Sequence, residues 1–251
     1  MDQLSINAHR VAAQIVVGQG YRQSIVEPIH RDGDWYPLTM RALIVPLQVH
    51  TAATFARPDH LLATISNVNA QAEICLADAA ASHLYGGLPA FSADDALVAQ
   101  ARLARDGLDC EDLETALEAW RGTGLTADGA VHLLRYAALA IGDLDPDDPD
   151  VAPAVATQAE RVSAAVTRYL ASAPVQATVD RVARRLLKHG RLQPERVQGL
   201  MGEVPVPGRL FGFPADYGWG WLQQHAGLPM EHEGFHGREA EPDPKPADSP
   251  A

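Results

Sequence analysis

From Pro58 to about residue 201 the apolar residues return at helical spacing, and only Gly, Pro and short polar stretches interrupt them. The clearest run is Leu61, Ile65, Val68, Ala72, Leu76, Ala79 and Leu84, a single stripe that Gly86-Gly87 ends. A stripe of that length can be buried only against other long apolar surfaces, so the pattern predicts a central helix with further helices around it. These are expected over 92–106, 110–121, 126–141, 152–171, 174–189 and 194–201. Pro153, Pro174 and Pro194 sit near first-turn positions, and Gly107, Gly142 and Gly190 near ends. The fold class is therefore mainly α, a helical bundle.

Ahead of this block, Leu4, Ala8, Val11, Ala12, Ile15 and Val16 predict a helix over 3–18, stopped by Gly18 and Gly20. The next segment changes character. Ser24-Ile25-Val26 and Leu43-Ile44-Val45 favour strands, and Asp32-Gly33 between them favours a tight turn, which predicts a small N-terminal β-hairpin or sheet over 21–50. Residues 1–201 thus read as one helical domain with a β insertion.

After residue 202 the composition shifts to Gly, Pro and aromatics. An arm over 202–236 carries Phe211, Phe213, Tyr217, Trp219 and Trp221, which can pack on the body or anchor a partner. Residues 237–251 are rich in Pro and acidic side chains and almost lack large apolar ones, so they are expected to be disordered.

With 47% hydrophobic residues in a chain of 251, a sizeable core needs no staples. Cys75 and Cys110 are the only cysteines, without the spacing of a disulfide scaffold or zinc ribbon, so a reducing, cytoplasmic setting is expected. No run approaches the roughly 18 apolar residues needed to cross a bilayer, and the N-terminus does not read as a secretion signal. The net charge of -12 argues against nucleic acid and anionic lipid. Neither G-x-x-x-x-G-K-[ST] nor G-x-G-x-x-G is present, so no nucleotide is expected. Protein or peptide is left as the partner class, and a homo-oligomer is compatible with it.

One literal metal motif occurs: His232-Glu233-Gly234-Phe235-His236 spells HExxH. Two such histidines meet one zinc only on a helix, where i and i+4 share a face, and a third ligand must come from elsewhere. Gly234 inside the motif, Gly227, Pro229 and Gly237 around it, and flanks without an apolar stripe all oppose a helix. The competing reading, a chance match in a polar tail, is preferred. Asp143, Asp145 and Asp147 begin like a calcium loop, yet Asp148 and Ala154 stand where its glycine and bidentate glutamate belong, so an acidic connection is preferred there. No G-x-S-x-G and no cysteine signature points to covalent catalysis.

Ile74-Cys75-Leu76-Ala77-Asp78-Ala79-Ala80-Ala81-Ser82-His83-Leu84-Tyr85-Gly86 is similar to an L-A-G-R-A-A-E-x-x-x-x-G helix, with Asp78 and Ser82 replacing its Gly and Glu. Ser92-Ala93-Asp94-Asp95 follows, and Val182-Ala183-Arg184-Arg185-Leu186-Leu187-Lys188-His189-Gly190-Arg191-Leu192 is similar to V-x-x-L-A-x-x-L-L-x-x-G-x-L. In this order the segments resemble the peptidase domain of FtsH-type, ATP-dependent zinc proteases, over roughly residues 3–201. The resemblance implies a helical peptidase fold whose first helix carries H-E-A-G-H-A, with a later aspartate as third zinc ligand.

The first helix here reads Ser5-Ile6-Asn7-Ala8-His9-Arg10-Val11-Ala12-Ala13. Aligning His9 with the second histidine puts Ser5 at the first ligand and Ile6 at the general base; aligning it with the first puts Arg10 at the base and Ala13 at the second ligand. Either way the ligand set is broken and the carboxylate that would take the water proton is gone. His9 and Asp95 remain as vestigial ligand positions. The competing readings are a buried histidine paired with a carboxylate for His9, and a Ser92-x-x-Asp95 capping box for Asp95.

The expected function is a degenerate, non-catalytic peptidase-family domain that binds protein or peptide, without a cofactor. Two alternatives stand beside it: an active zinc peptidase that combines His9 and Asp95 with a tail histidine such as His232 and acts on unfolded substrates, and a structural or assembly protein.

Overall fold

The structure, a computed structural model, describes residues 1–20, 26–31, 34–38, 58–107, 125–142, 147–190, 192 and 194–201. Its helices are α1 (Gln3–Gly20), α2 (Pro58–Gly86), α3 (Ala93–Arg105), α4 (Ala127–Gly142), α5 (Val151–Leu170), α6 (Ala173–His189) and α7 (Pro194–Met201). The helices expected over 92–106, 126–141, 152–171, 174–189 and 194–201 correspond to α3 to α7. The one expected over 110–121 lies outside the described residues, as do the arm, the tail and the Asp143 and Asp145 positions.

Two short strands, β1 (Val26–Arg31) and β2 (Asp34–Leu38), pair antiparallel, with Arg31 opposite Asp34 and Ile29 opposite Tyr36. Their register slips between Val26 and Ile29, where Pro28 has no N–H to give the ladder. The remainder of the sheet expected over 21–50 lies outside the described residues.

The end of α1 differs from expectation by two residues. Gly18 does not stop α1, which runs on to Gly20. A helical glycine costs only about 1 kcal/mol relative to alanine. Burying Val16 and Val17, both with no exposed surface, contributes more than that, at about 1.5–3 kcal/mol for each apolar side chain of this size.

The core is organised on α2, which packs against α1, α4 and α5. Its buried residues Ala72, Ile74, Cys75, Leu76, Ala77, Ala80 and Ala81 go nearly all round the helix, as expected for an element covered on several sides. Gly86 lies against Ile6, and Asp78 meets Arg10, so α1 and α2 run antiparallel. Both helices bury small residues, Ala8, Ala12 and Ala13 on α1 and Ala77, Ala80 and Ala81 on α2, which lets their backbones approach closely. α6 covers another side of α1, α7 packs on α6, and α3 packs on α4 and α5.

The helix ends follow local chemistry. Gly190 closes α6 with a left-handed φ of 71° while its N–H donates to the Leu186 carbonyl at 2.8 Å; that conformation favours glycine. At the start of α3, Ser92 Oγ accepts from the Asp95 N–H at 3.3 Å, and the Asp95 carboxylate accepts from the Ser92 N–H at 2.9 Å. This is a reciprocal capping box.

Candidate functional site

The first helix is where the sequence concentrates its unresolved chemistry, and His9 lies on its inner side, 9% exposed. Residue 9 is four past Ser5, so its ring folds back along the helix and Nδ1 donates to the Ser5 carbonyl at 2.7 Å. A carbonyl can only accept, so Nδ1 carries a proton and Nε2 is the nitrogen left to face outward from the helix. Nε2 stands 3.3 Å from Asp180 Oδ1 on α6. The ring also lies against Tyr85 near the end of α2, with centroids 4.5 Å apart and planes tilted by 34°.

Among the described residues the buried hydroxyl of Tyr85 has no hydrogen-bond partner. Burial, and then the Asp180 carboxylate, push its pKa from 10.0 up to about 12. Three helices therefore bring together an imidazole, a half-exposed carboxylate and a phenol held in its neutral form. His9 is paired with a carboxylate, but its partner is Asp180 rather than a residue the sequence had singled out.

Next to His9, Arg10 points to α2 and makes a two-pronged contact with Asp78: Nε donates to Oδ1 at 2.7 Å and Nη2 to Oδ2 at 3.0 Å. Such a fork fixes both distance and orientation between the helices. A further α1 tie comes from Gln14, whose Nε2 donates to the Leu125 carbonyl at 2.5 Å. Asp95 has its carboxylate engaged at the α3 N-terminus, where Ser92 N and Oγ both donate to it. His232 and His236 lie outside the described residues.

A catalytic zinc requires three protein ligands and an open position for water. Among the described residues no group of three His, Cys, Asp or Glu side chains is placed to hold a metal. At α1 the two available donors, His9 Nε2 and Asp180, contact each other. Arg10, the neighbour of His9, brings a cation. These residues do not fit a catalytic zinc.

Elsewhere the helices bury polar groups that sequence reasoning passed over. Glu73 has no exposed surface, and its charge adds to burial in pushing the Tyr169 pKa up. Gln100 donates to the Ala152 carbonyl at 3.0 Å and ties α3 to α5. Cys75 is fully buried; desolvation, and then Asp78, push its thiol pKa up, so it is held as an unreactive neutral thiol.

Asp180 and Asp78 are the residues that sequence reading missed as partners of this site. A signal existed for Asp78, an acid on an otherwise Ala-rich apolar helix with Arg10 as an equally out-of-place cation on α1. Asp180 gave none, because it lies beside a run of arginines that would attract it locally.

No protein-family model, curated protein or solved structure matches this chain. Among the described residues no helix is long and apolar enough to cross a membrane.

Proposed function

We propose that this chain is a degenerate domain of the FtsH-peptidase type that no longer hydrolyses peptide bonds and acts by binding protein or peptide segments. The observation that carries the reading is the condition of α1. His9 and Arg10 are engaged by Asp180 and Asp78, so the helix that would hold a metal in such a peptidase is instead tied to α6 and α2. Asp78 stands where the family's helix has Gly, so departures on the two helices answer one another as an ion pair. Along α1 no carboxylate takes the general base's position, which Ile6 or Arg10 occupies; the carboxylate beside His9 is Asp180, from α6. The small N-terminal sheet is part of this reading, as the β insertion that follows the first helix in the resemblance.

The test is metal analysis of untagged full-length protein, together with cleavage and binding assays on unfolded casein. The expected result is less than a tenth of an equivalent of zinc, no chelator-sensitive cleavage, and saturable casein binding. Stoichiometric zinc with cleavage abolished by chelator and by His9→Ala would overturn the proposal in favour of an active peptidase. Absence of casein binding, with neither zinc nor cleavage, would overturn the binding role.

A further inference from the structure

Positive charge is unevenly placed in this acidic chain. Six of its 20 Lys and Arg residues fall between positions 181 and 196, with Glu195 as the only acid among them. Four of the six, Arg181, Arg184, Arg185 and Lys188, are exposed on α6. Their spacing of three and four residues gathers them within about 100° of the helix circumference, on the side away from the buried Val179, Val182, Ala183 and Leu186. What they touch does not neutralise them. Arg181 donates to Thr178 Oγ1 and to the Leu200 carbonyl, Arg184 to the Asp180 carbonyl, and Arg185 lies 3.4 Å from His189 Nε2. Among the described residues none of the four forms a salt bridge to a carboxylate. Asp180 is the acid placed to neutralise Arg184, four residues further along the same helix. Its carboxylate is turned to His9 instead, at 3.3 Å, so the contact that ties α6 to α1 leaves the outer face cationic.

We infer that this face of α6 docks an acidic peptide segment of a partner protein, in extended conformation, with Asp or Glu at alternate positions. The inference builds on the reading of the chain as a protein- or peptide-binding domain and names the chemistry that it binds. Charge and spacing together select that occupant. Arg181 and Arg185 are four residues apart, as are Arg184 and Lys188, which is about 6 Å along the helix axis. Carboxylates on alternate residues of an extended segment share one side and recur about every 6.6 Å. Two or three of them therefore span the stripe, which runs about 10 Å from Arg181 to Lys188. The three arginines also offer planar, two-pronged donation that suits carboxylates. Leu187, 39% exposed at the edge of the stripe, gives an apolar side chain of the segment a place beside the charges. Larger polyanions fit less well. A duplex carries a charge about every 1.7 Å of its length, and an anionic vesicle is charged throughout, so either would be pressed against much more of a chain whose net charge is -12. A short acidic segment meets the stripe alone.

The test is fluorescence anisotropy of a labelled peptide in which glutamate alternates with serine, titrated with the full-length protein, beside a reference peptide with glutamine in place of glutamate. At about 10 mM salt, where charges act over about 30 Å, the glutamate peptide is expected to bind saturably and the glutamine peptide not to bind. Salt at about 1 M, where that range shrinks to about 3 Å, should abolish the binding. Arg184→Gln/Arg185→Gln should weaken it about fivefold or more, with the helical circular dichroism unchanged. Arg184→Lys/Arg185→Lys keeps the charge and should weaken it less. Arg102→Gln/Arg105→Gln removes as much charge from α3, where each arginine faces an aspartate, and should change the affinity by less than about twofold, since those charges lie away from the face. Equal losses in the two glutamine variants would overturn the inference, because net charge and not this face would then govern binding. Tighter binding of a duplex DNA or of phosphatidylserine vesicles than of the peptide, lost in the α6 variant, would overturn it in favour of a phosphate-bearing ligand. Self-association that the α6 variant abolishes, without capture of the peptide, would overturn it in favour of a second copy as occupant. Casein binding that persists in the α6 variant, with no binding of the glutamate peptide, would overturn the inference and leave the broader binding role standing. A chain that binds neither casein nor the glutamate peptide would strike both.

Discussion

Replacing Arg10 by alanine removes one half of the fork that joins α1 to α2 and leaves Asp78 without its cation. The side chains of the pair are 31% and 17% exposed, which places it between two regimes. Fully exposed pairs contribute about 0.2–1 kcal/mol, whereas breaking a buried pair from one side costs about 3–5 kcal/mol because a charge is left uncompensated. Discounting the buried figure for the solvent that reaches Arg10 gives a loss of about 2 kcal/mol for Arg10→Ala. For a protein of this size that lowers Tm by roughly 4–8 °C. Asp78→Ala removes the other half, and it also relieves the repulsion that helps hold the Cys75 thiol neutral. The double variant should therefore be less destabilised than the sum of the two single ones, with a coupling of about 1–2 kcal/mol in a double-mutant cycle measured by urea unfolding. Additivity within about 0.3 kcal/mol would refute the reasoning, since it would mean that Arg10 and Asp78 do not interact in solution.

Three further outcomes follow from the same geometry. Cys75 should resist iodoacetamide at pH 8 in the native protein and be labelled once the chain is unfolded; rapid native labelling, mapped by mass spectrometry, would contradict its burial. Tyr85 has its folded pKa raised from 10.0 to about 12, so the folded state keeps a proton that the unfolded state gives up. The associated stability is present below pH 10 and is lost as pH rises through 12, and it should be smaller in Tyr85→Phe; equal alkaline losses in both proteins would refute the assignment. At the capping box, Ser92→Ala and Asp95→Ala should each lower stability by about 1 kcal/mol, and both should leave casein binding unchanged. Loss of binding on Asp95→Ala with stability intact would give Asp95 a role beyond its helix.

The helices were legible because their signal is local and repeated. A stripe such as Ala72, Leu76 and Ala79 states its period several times over, and Pro174 and Gly190 mark where α6 begins and ends. The Ser92-x-x-Asp95 pairing was equally legible, because a capping box is written within four consecutive residues. Gly18 misled for the opposite reason: its intrinsic penalty is visible in the sequence, while the buried surface of its neighbours, which outweighs it, is a property of the packed bundle. The partner of His9 belongs to that second kind. Nothing within several turns of Asp180 indicates that α6 would be laid along α1, so the pairing appears only when the helices are assembled.

That distinction bears on how the chemistry of α1 is understood. A histidine can lose its metal in two ways, by losing the other ligands or by acquiring a different partner for the same nitrogen. Under the proposed reading both would apply at His9: Ser5 and Ala13 supply no imidazole in either alignment, and Asp180 faces Nε2. Restoring a glutamate at position 6 or 10 alone would therefore not rebuild a site. At position 6 it would bring a carboxylate to a helix that already faces Asp78 and Asp180, and at position 10 it would turn the Arg10–Asp78 attraction into repulsion. Arg10→Glu should for that reason be more destabilising than Arg10→Ala, by about a further 1 kcal/mol for a like-charge contact near the surface. It should bind no more zinc than the unaltered chain. An Arg10→Glu protein that was as stable as Arg10→Ala and took up a full equivalent of zinc would show that α1 still holds a competent metal site, and that Asp180 is one of its ligands instead of its competitor.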